Sequence, residues 1–383
     1  MQQYNFPTTI YFGDGALKAC AESIKADGAT KVLLVTDATL VDVGIAKTVE
    51  DELVGAGLAV ALFTGVHPNP TEDDVEHGAE YYLKQRCDAL LGLGGGSPID
   101  TAKVIAIAAT HDGPLAKYDD AKGGDRLIKG PLPPIYAIPT TAGTGSEVGR
   151  SGVIITRESN NKTVIFHPQL MPKIAVLEPK LTEGLPPAIT AATGIDAFVH
   201  CLEAYLAPGF HPMADGIALE GMALVLKNLP LAVSDGHNLE ARGAMQIAAS
   251  MGATAFQKGL GMIHSLAHPL SSECGLHHGL ANALLLLFGV EFLEASNLDV
   301  SQRARVEKVR TLLTESGLEG KTVASACSQF VTGLGVQLGL KHHGVRKDQL
   351  ELLSEKAFQD SCHLTNIVPV TKADLLAVYE QAY

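Results

Sequence analysis

The chain has no block of basic residues. Its net charge is −13, with 29 Lys and Arg against 42 Asp and Glu. Nucleic acid and anionic membrane surfaces both need a positive face, so neither is expected as a partner. No C-x-x-C pair occurs among the six cysteines, Cys20, Cys87, Cys201, Cys274, Cys327 and Cys362. Scattered cysteines in a chain of this length argue against a disulfide framework. No uninterrupted apolar run reaches the roughly 18 residues that a bilayer span requires. The longest, 281–290, is broken by Asn282 and Gly289. The opening Met-Gln-Gln-Tyr-Asn-Phe-Pro has neither the basic nor the apolar region of an export signal, so the expected compartment is the cytoplasm. Neither G-x-G-x-x-G nor G-x-x-x-x-G-K-[ST] is present, and there is no internal repeat or low-complexity tract.

What is present points to an enzyme-sized protein. At 383 residues the chain exceeds the size at which one core stops growing, so two domains are expected. The 46% hydrophobic and 19% charged content fits large cores. Residues 1–183 alternate apolar, β-branched runs with amphipathic stretches. Strands are read at 10–12, 31–36, 58–63, 89–93, 134–138, 152–156 and 174–177, with helices at 16–24, 44–55, 73–85 and 98–109. Lys31 to Thr36 is apolar without alternation, as a parallel strand covered on both faces should be. The pattern predicts a Rossmann-like α/β domain with a doubly wound parallel sheet. Around 179–187 the texture changes. Residues 184–383 are rich in Ala, Leu, Gln and Glu with 3.6-residue periodicity, for example at 188–206, 216–227, 239–255 and 303–316. They read as an all-helical domain.

Two small-residue loops in the first half can meet phosphate. Gly94-Gly95-Gly96-Ser97-Pro98-Ile99-Asp100 follows a buried strand and opens a helix. Glycines admit phosphate oxygens to the backbone, and a helix N-terminus offers free N–H groups and a positive dipole end. Ser97 suits the N-cap and Pro98 the first helical position. A glycine run also makes a plain strand–helix turn, but a second loop adds weight: Pro139-Thr140-Thr141-Ala142-Gly143-Thr144-Gly145-Ser146-Glu147 gathers hydroxyls after a strand. Asp37, at the tip of an early strand, can accept from a ribose 2′-hydroxyl and repel a 2′-phosphate, which favours NAD over NADP.

The second half concentrates metal-binding chemistry. Four of the fourteen histidines fall between His264 and His278. His264 and His268 are four apart, and Asp196 and His200 repeat that spacing. Such pairs share a helix face, and a carboxylate with imidazoles can converge on one divalent cation. Mixed oxygen and nitrogen ligands suit Fe(II), Zn(II), Mn(II) or Ni(II). Spacing does not decide which of His264, His268, His277 and His278 bind. A surplus imidazole is a candidate proton relay. Pro269 predicts a bend after His268.

Taken together, the Gly-Gly-Gly-Ser-Pro-Ile-Asp run, Pro-Thr-Thr-Ala-Gly-Thr-Gly-Ser-Glu-Val, Thr-Gly-Ile-Asp-Ala-Phe-Val-His, and Gly-x-x-His-Ser-Leu-Ala-His-Pro with His-Gly-Leu-Ala-Asn-Ala make the chain resemble the iron-containing (group III) alcohol dehydrogenase family. The resemblance covers essentially the whole chain. It implies a dehydroquinate-synthase-like fold and a divalent metal, Fe(II) or alternatively Zn(II), held by Asp196, His200, His264 and His278. His268 then stands beside the metal as the proton relay. NAD contacts carried over by motif are Asp37, Asn69, Gly95, Gly96, Ser97, Asp100, Thr140, Thr141, Thr144 and, on a looser motif, Lys162. The implied reaction passes hydride between the carbinol carbon of a small alcohol and nicotinamide C4, with the metal acting on the oxygen as a Lewis acid. A homodimer, paired through N-terminal strands, is a further expectation.

The sequence departs from the family pattern twice. His277 replaces the proline that often precedes the last ligand, and Asn366-Ile367-Val368 replaces Asn-Pro-Arg, so no substrate contact by that arginine is carried over. Rivals within the fold are a glycerol-dehydrogenase-type enzyme and a dehydroquinate-synthase-type lyase. The lyase needs cations around a sugar phosphate, and 261–282 contains no Lys or Arg.

Overall fold

A computed structural model describes residues 4, 6, 8–158 and 162–383. The chain separates into two compact units. One comprises 1–141 and 145–182; the other comprises 183–383 together with 142–144, a segment the sequence groups with the nucleotide half.

The first unit is built on a parallel six-stranded sheet. Its strands are β1 (Thr9–Phe12), β2 (Lys31–Val35), β3 (Ala59–Phe63), β4 (Ala89–Gly94), β5 (Ile135–Pro139) and, after a hairpin, β8 (Ile174–Leu177), in the order β1-β8-β5-β4-β2-β3. The continuous apolar strands are explained by the helices. Val32 and Leu34 point to one face, into a core shared with α1 (Ala16–Ala26) and α3 (Ile45–Gly55). Leu33 and Val35 point to the other, against α4 (Glu72–Gln85) and α5 (Gly96–Ala108). A short helix, α2 (Ala38–Asp42), follows β2. Thr71 opens α4 through a reciprocal capping box with Asp74.

One strand expectation needs correction. The run read at 152–156 does form a strand, β6 (Ser151–Ile155), but outside the large sheet. It pairs antiparallel with β7 (Lys162–Phe166), a strand the sequence reading left out. Gly152 explains the location: a Cβ there would stand 2.9 Å from the Asp100 carbonyl oxygen, so the hairpin lies hard against α5.

The second unit is helical: α6 (Pro187–Leu206), α7 (Pro212–Ser234), α8 (Leu239–Ala255), α9 (Met262–Cys274), α10 (His278–Ala295), α11 (Val300–Glu315), α12 (Val323–Gly333), α13 (Leu350–Gln359) and α14 (Lys372–Ala382). One core joins them, with Phe198, Leu202, Leu266, Leu284 and Leu286 fully or nearly fully buried. By length and composition α7 and α10 could each cross a membrane; here both contribute to this core. The bend expected at Pro269 does not interrupt α9, which runs on to Cys274.

Candidate active site

α6 presents Asp196, His200 and Glu203 at i, i+4 and i+7, all buried. α9 presents His264 and His268 one turn apart, and α10 begins at His278. Glycines set how closely these helices approach. A Cβ at Gly279 would stand 2.2 Å from the Ala192 carbonyl oxygen, and one at Gly252, on α8, 3.0 Å from the His200 Cβ. Glycine after His278 therefore brings the start of α10 onto α6, where His278 Nε2 lies 3.5 Å from Asp196 Oδ1.

One ligand atom each from Asp196, His200 and His264 fall within 4.8 Å of one another. His264 Nε2 is 3.7 Å from Asp196 Oδ1, and His200 Nδ1 is 4.0 Å from Asp196 Oδ2. These are ion-pair distances, too long for hydrogen bonds. Both ring nitrogens are buried and have no hydrogen-bond partner among the described residues. An unpaired buried polar atom costs about 1–3 kcal/mol, so two of them aimed at one carboxylate are the mark of a cation site. The donor set, one carboxylate and imidazoles, fits a borderline divalent metal. Asn282, one turn along α10 from His278, donates to Asp196 Oδ1 at 2.6 Å and fixes that carboxylate.

The electrostatics agree. Burial alone would raise the Asp196 pKa, but His200, His278 and His264 hold it well below the usual carboxylate range. Burial lowers His200 to about 4 against the pull of Asp196, so at neutral pH its ring is uncharged, the form a metal needs. His264 goes the other way: burial opposes its charge, yet Asp196 and Glu203 raise it to about 9. A field that holds a proton on His264 also favours a dication, and a metal bound there would displace that proton.

A second set, His268, Asp360 and Cys362, meets the same 4.8 Å criterion. His268 Nδ1 is 2.7 Å from Asp360 Oδ2, whose other oxygen accepts from Ser265 Oγ and the Cys362 N–H, both at 2.8 Å. The His268 and His278 rings stack with centroids 5.1 Å apart. His277 is the N-cap residue of α10 and belongs to neither set.

Of the nucleotide candidates, Asp37, Asn69, Gly95, Gly96, Ser97, Thr140 and Thr141 follow the carboxyl ends of parallel strands, the usual place for a ligand in such sheets. Asp37 caps α2, accepting from the Leu40 N–H at 3.1 Å. The α5 helix starts at Gly96 with Gly95 as N-cap, so Ser97 is not the cap the sequence predicts. Instead its hydroxyl donates to the Pro68 carbonyl at 2.6 Å, tying the loop that carries Asn69 to the first turn of α5. The first-turn backbone N–H groups of α5 are the ones such a turn can offer to an anion. Thr141 flanks the turn: a Cβ at Gly95 would lie 3.5 Å from its Oγ1. Thr140 is buried, with its N–H on the Gly94 carbonyl at 3.0 Å. Thr144 belongs to the second unit. Asp100 is turned inward, accepting from Ser146 Oγ and, at 3.1 Å, from the Val153 N–H. These bonds tie the 140–147 loop and β6 to α5, and burial raises the Asp100 pKa against the opposing pull of Lys103 and, more weakly, Lys162.

Sequence reasoning missed Glu203, Asn282, Asp360 and Lys103. The first two were accessible, because Glu203 shares the Asp196–His200 face and Asn282 is four residues after His278. Asp360 is 92 residues from its partner His268 and gave no local signal.

Comparison with known proteins gives this architecture a family. The chain matches iron-containing alcohol dehydrogenase over residues 7–179, and the C-terminal part of the Fe-containing alcohol dehydrogenase family over 190–383. It is 40% identical to 4-hydroxybutyrate dehydrogenase of Cupriavidus necator across 98% of both chains. It is 34% identical to NAD-dependent methanol dehydrogenase of Bacillus methanolicus, covering 100% of each. A crystal structure of 1,3-propanediol oxidoreductase superposes with a TM-score of 0.90 at 34% identity, covering 100% of both chains. The chain belongs to the iron-containing alcohol dehydrogenase family, and its parallel-sheet and helical units are those of the dehydroquinate-synthase-like fold.

Proposed function

We propose that the protein is a metal-dependent, NAD(H)-linked dehydrogenase that interconverts a small primary alcohol and its aldehyde. The buried Asp196–His200–His264 cluster with its two unpartnered ring nitrogens carries this reading. Asp196, His200, His264 and His278 would hold the metal, Fe(II) by family and Zn(II) as the alternative. When bound, the metal supplies Lewis acidity at the alcohol oxygen, and the nicotinamide accepts hydride from the carbinol carbon.

The protein's own groups hold and orient. The first-turn N–H groups of α5 bind pyrophosphate, and the Thr141 hydroxyl completes that cradle. The Asp37 carboxylate receives the ribose hydroxyls and disfavours a 2′-phosphate. His268 moves the proton. Its Nδ1–H donates to Asp360, which leaves Nε2 to exchange a proton with the substrate oxygen. We infer a small, uncharged substrate: the histidine cluster is bordered by Asp196, Glu203 and Asp360, and 261–282 supplies no Lys or Arg for an anionic group. We also infer a homodimer joined at β1, a terminal strand of the sheet whose outer ladder edge is unpaired among the described residues, and a cytoplasmic setting that suits six free cysteines. Mixing NADH and short-chain aldehydes with metal-loaded enzyme tests the activity. Oxidation of NADH supports the reading, and silence across the panel contradicts it.

A further inference from the structure

The carboxylate of Glu203 meets α9 at three atoms. Oε1 accepts the Ile263 N–H at 2.7 Å, while Oε2 lies 3.4 Å from the His264 N–H and 2.6 Å from His264 Nδ1. Its side chain is 4% exposed. Gly261 makes room for it: a Cβ at that position would stand 2.6 Å from Glu203 Oε1. Gly261 has no side chain to cap α9, so a residue 60 positions away along α6 satisfies the Ile263 N–H instead.

The contact to the ring carries chemical information beyond capping. An ionised carboxylate has no hydrogen to give, so a 2.6 Å approach requires the proton to reside on His264 Nδ1. The imidazole that binds a metal is neutral and keeps one N–H, so with that proton on Nδ1 the lone pair is on Nε2. Nε2 is the atom that faces Asp196 and has no hydrogen-bond partner among the described residues.

We propose that Glu203 is a positioning residue: it fixes His264 in the tautomer whose Nε2 lone pair faces the metal, and so sets metal affinity. The inference rests on His264 being a ligand. Its partner on the other side of the site, Asn282, anchors Asp196 in the same way. Both supports arise from the helices that carry the ligands, so the site is held in shape by its own scaffold.

Glu203→Gln separates this role from capping. The Gln carbonyl can still accept the Ile263 N–H, but its amide N–H₂ is then directed at Nδ1. That favours the opposite tautomer and puts a proton on the metal-facing nitrogen. The measurement is the dissociation constant for Co(II) and Zn(II), by chelator competition on the full-length protein without nucleotide or substrate, beside the melting temperature of the metal-free form. We expect Glu203→Gln to weaken metal binding about 10–100-fold. A lower metal-free melting temperature with unchanged metal affinity would reduce Glu203 to a helix cap and overturn the proposal. Wild-type protein that binds no stoichiometric metal would overturn both the proposal and the ligand assignment beneath it. Should the variant not fold, ¹⁵N-histidine NMR of the zinc-loaded wild type gives the answer, with His264 assigned by its loss in His264→Ala. A protonated Nδ1 supports the proposal, and a protonated Nε2 refutes it.

Discussion

Lys103 is the most exacting test of how the nucleotide unit is held together. Its side chain is fully buried on α5. The ammonium donates to the Ser146 carbonyl at 2.7 Å, the Ser151 carbonyl at 2.8 Å and Ser146 Oγ at 3.1 Å, with Asp100 at 3.9 Å. Asp100 in turn binds Ser146 Oγ and the Val153 N–H. One buried ion pair thus clamps both ends of the segment between the Thr140–Glu147 loop and β6. Lys103→Met keeps the bulk, strands two carbonyl oxygens and leaves Asp100 without its cation. Removing one member of a buried pair costs about 3–5 kcal/mol. At roughly 2–4 °C per kcal/mol for a unit of this size, the melting temperature should drop by about 6–20 °C. Scanning calorimetry of metal- and nucleotide-free protein reads this directly. The double variant Lys103→Met/Asp100→Asn should recover part of the loss, because the uncompensated charge is gone, with a coupling of about 0.5–3 kcal/mol. A single variant that melts within about 2 °C of wild type, a loss of no more than about 1 kcal/mol, would refute the clamp.

Two further outcomes follow from particular contacts. His268→Ala should lower turnover about 10²-fold or more while metal content holds, and Asp360→Asn should reproduce part of that loss; turnover unaltered across pH would remove His268 from proton transfer. Hydrogen bonds from Tyr136 and Lys173 hold the Asp27 carboxyl below its ordinary pKa. A group depressed in this way stabilises the fold above its unfolded pKa of about 3.9 and loses that contribution as pH falls through the folded value. The melting-temperature gap between wild type and Asp27→Asn should therefore close below about pH 4. A constant gap from neutral pH to pH 3 would show that the carboxylate charge is not involved.

The parts legible in the sequence were those encoded locally. Lys31 to Thr36 announced a strand buried on both faces, and β2 (Lys31–Val35) lies between β3 and β4 with helices on either side. The i, i+4 pairs announced that Asp196 with His200, and His264 with His268, share helix faces. Illegible were features decided by distant partners. The Lys162–Phe166 run is β-branched enough to be a strand, but only its packing on α5 takes the β6–β7 hairpin out of the sheet. Ser97 looked like an N-cap because it precedes Pro98; the Gly95-Gly96 backbone begins the helix earlier, and the Pro68 carbonyl claims the hydroxyl. Which histidine has a carboxylate behind it depends on Glu203 and Asp360, 61 and 92 residues away.

On the proposed reading, a metal held by Asp196, His200, His264 and His278 makes this protein an NAD-linked dehydrogenase. The most direct measurement strips the enzyme with a chelator and follows NADH absorbance with an aldehyde panel under anaerobic conditions as Fe(II) or Zn(II) is returned. Activity is expected to disappear with the metal, to return with it in wild type, and not to return in His264→Ala. NADH oxidation that persists in stripped enzyme, or that His264→Ala recovers as fully as wild type, would contradict it.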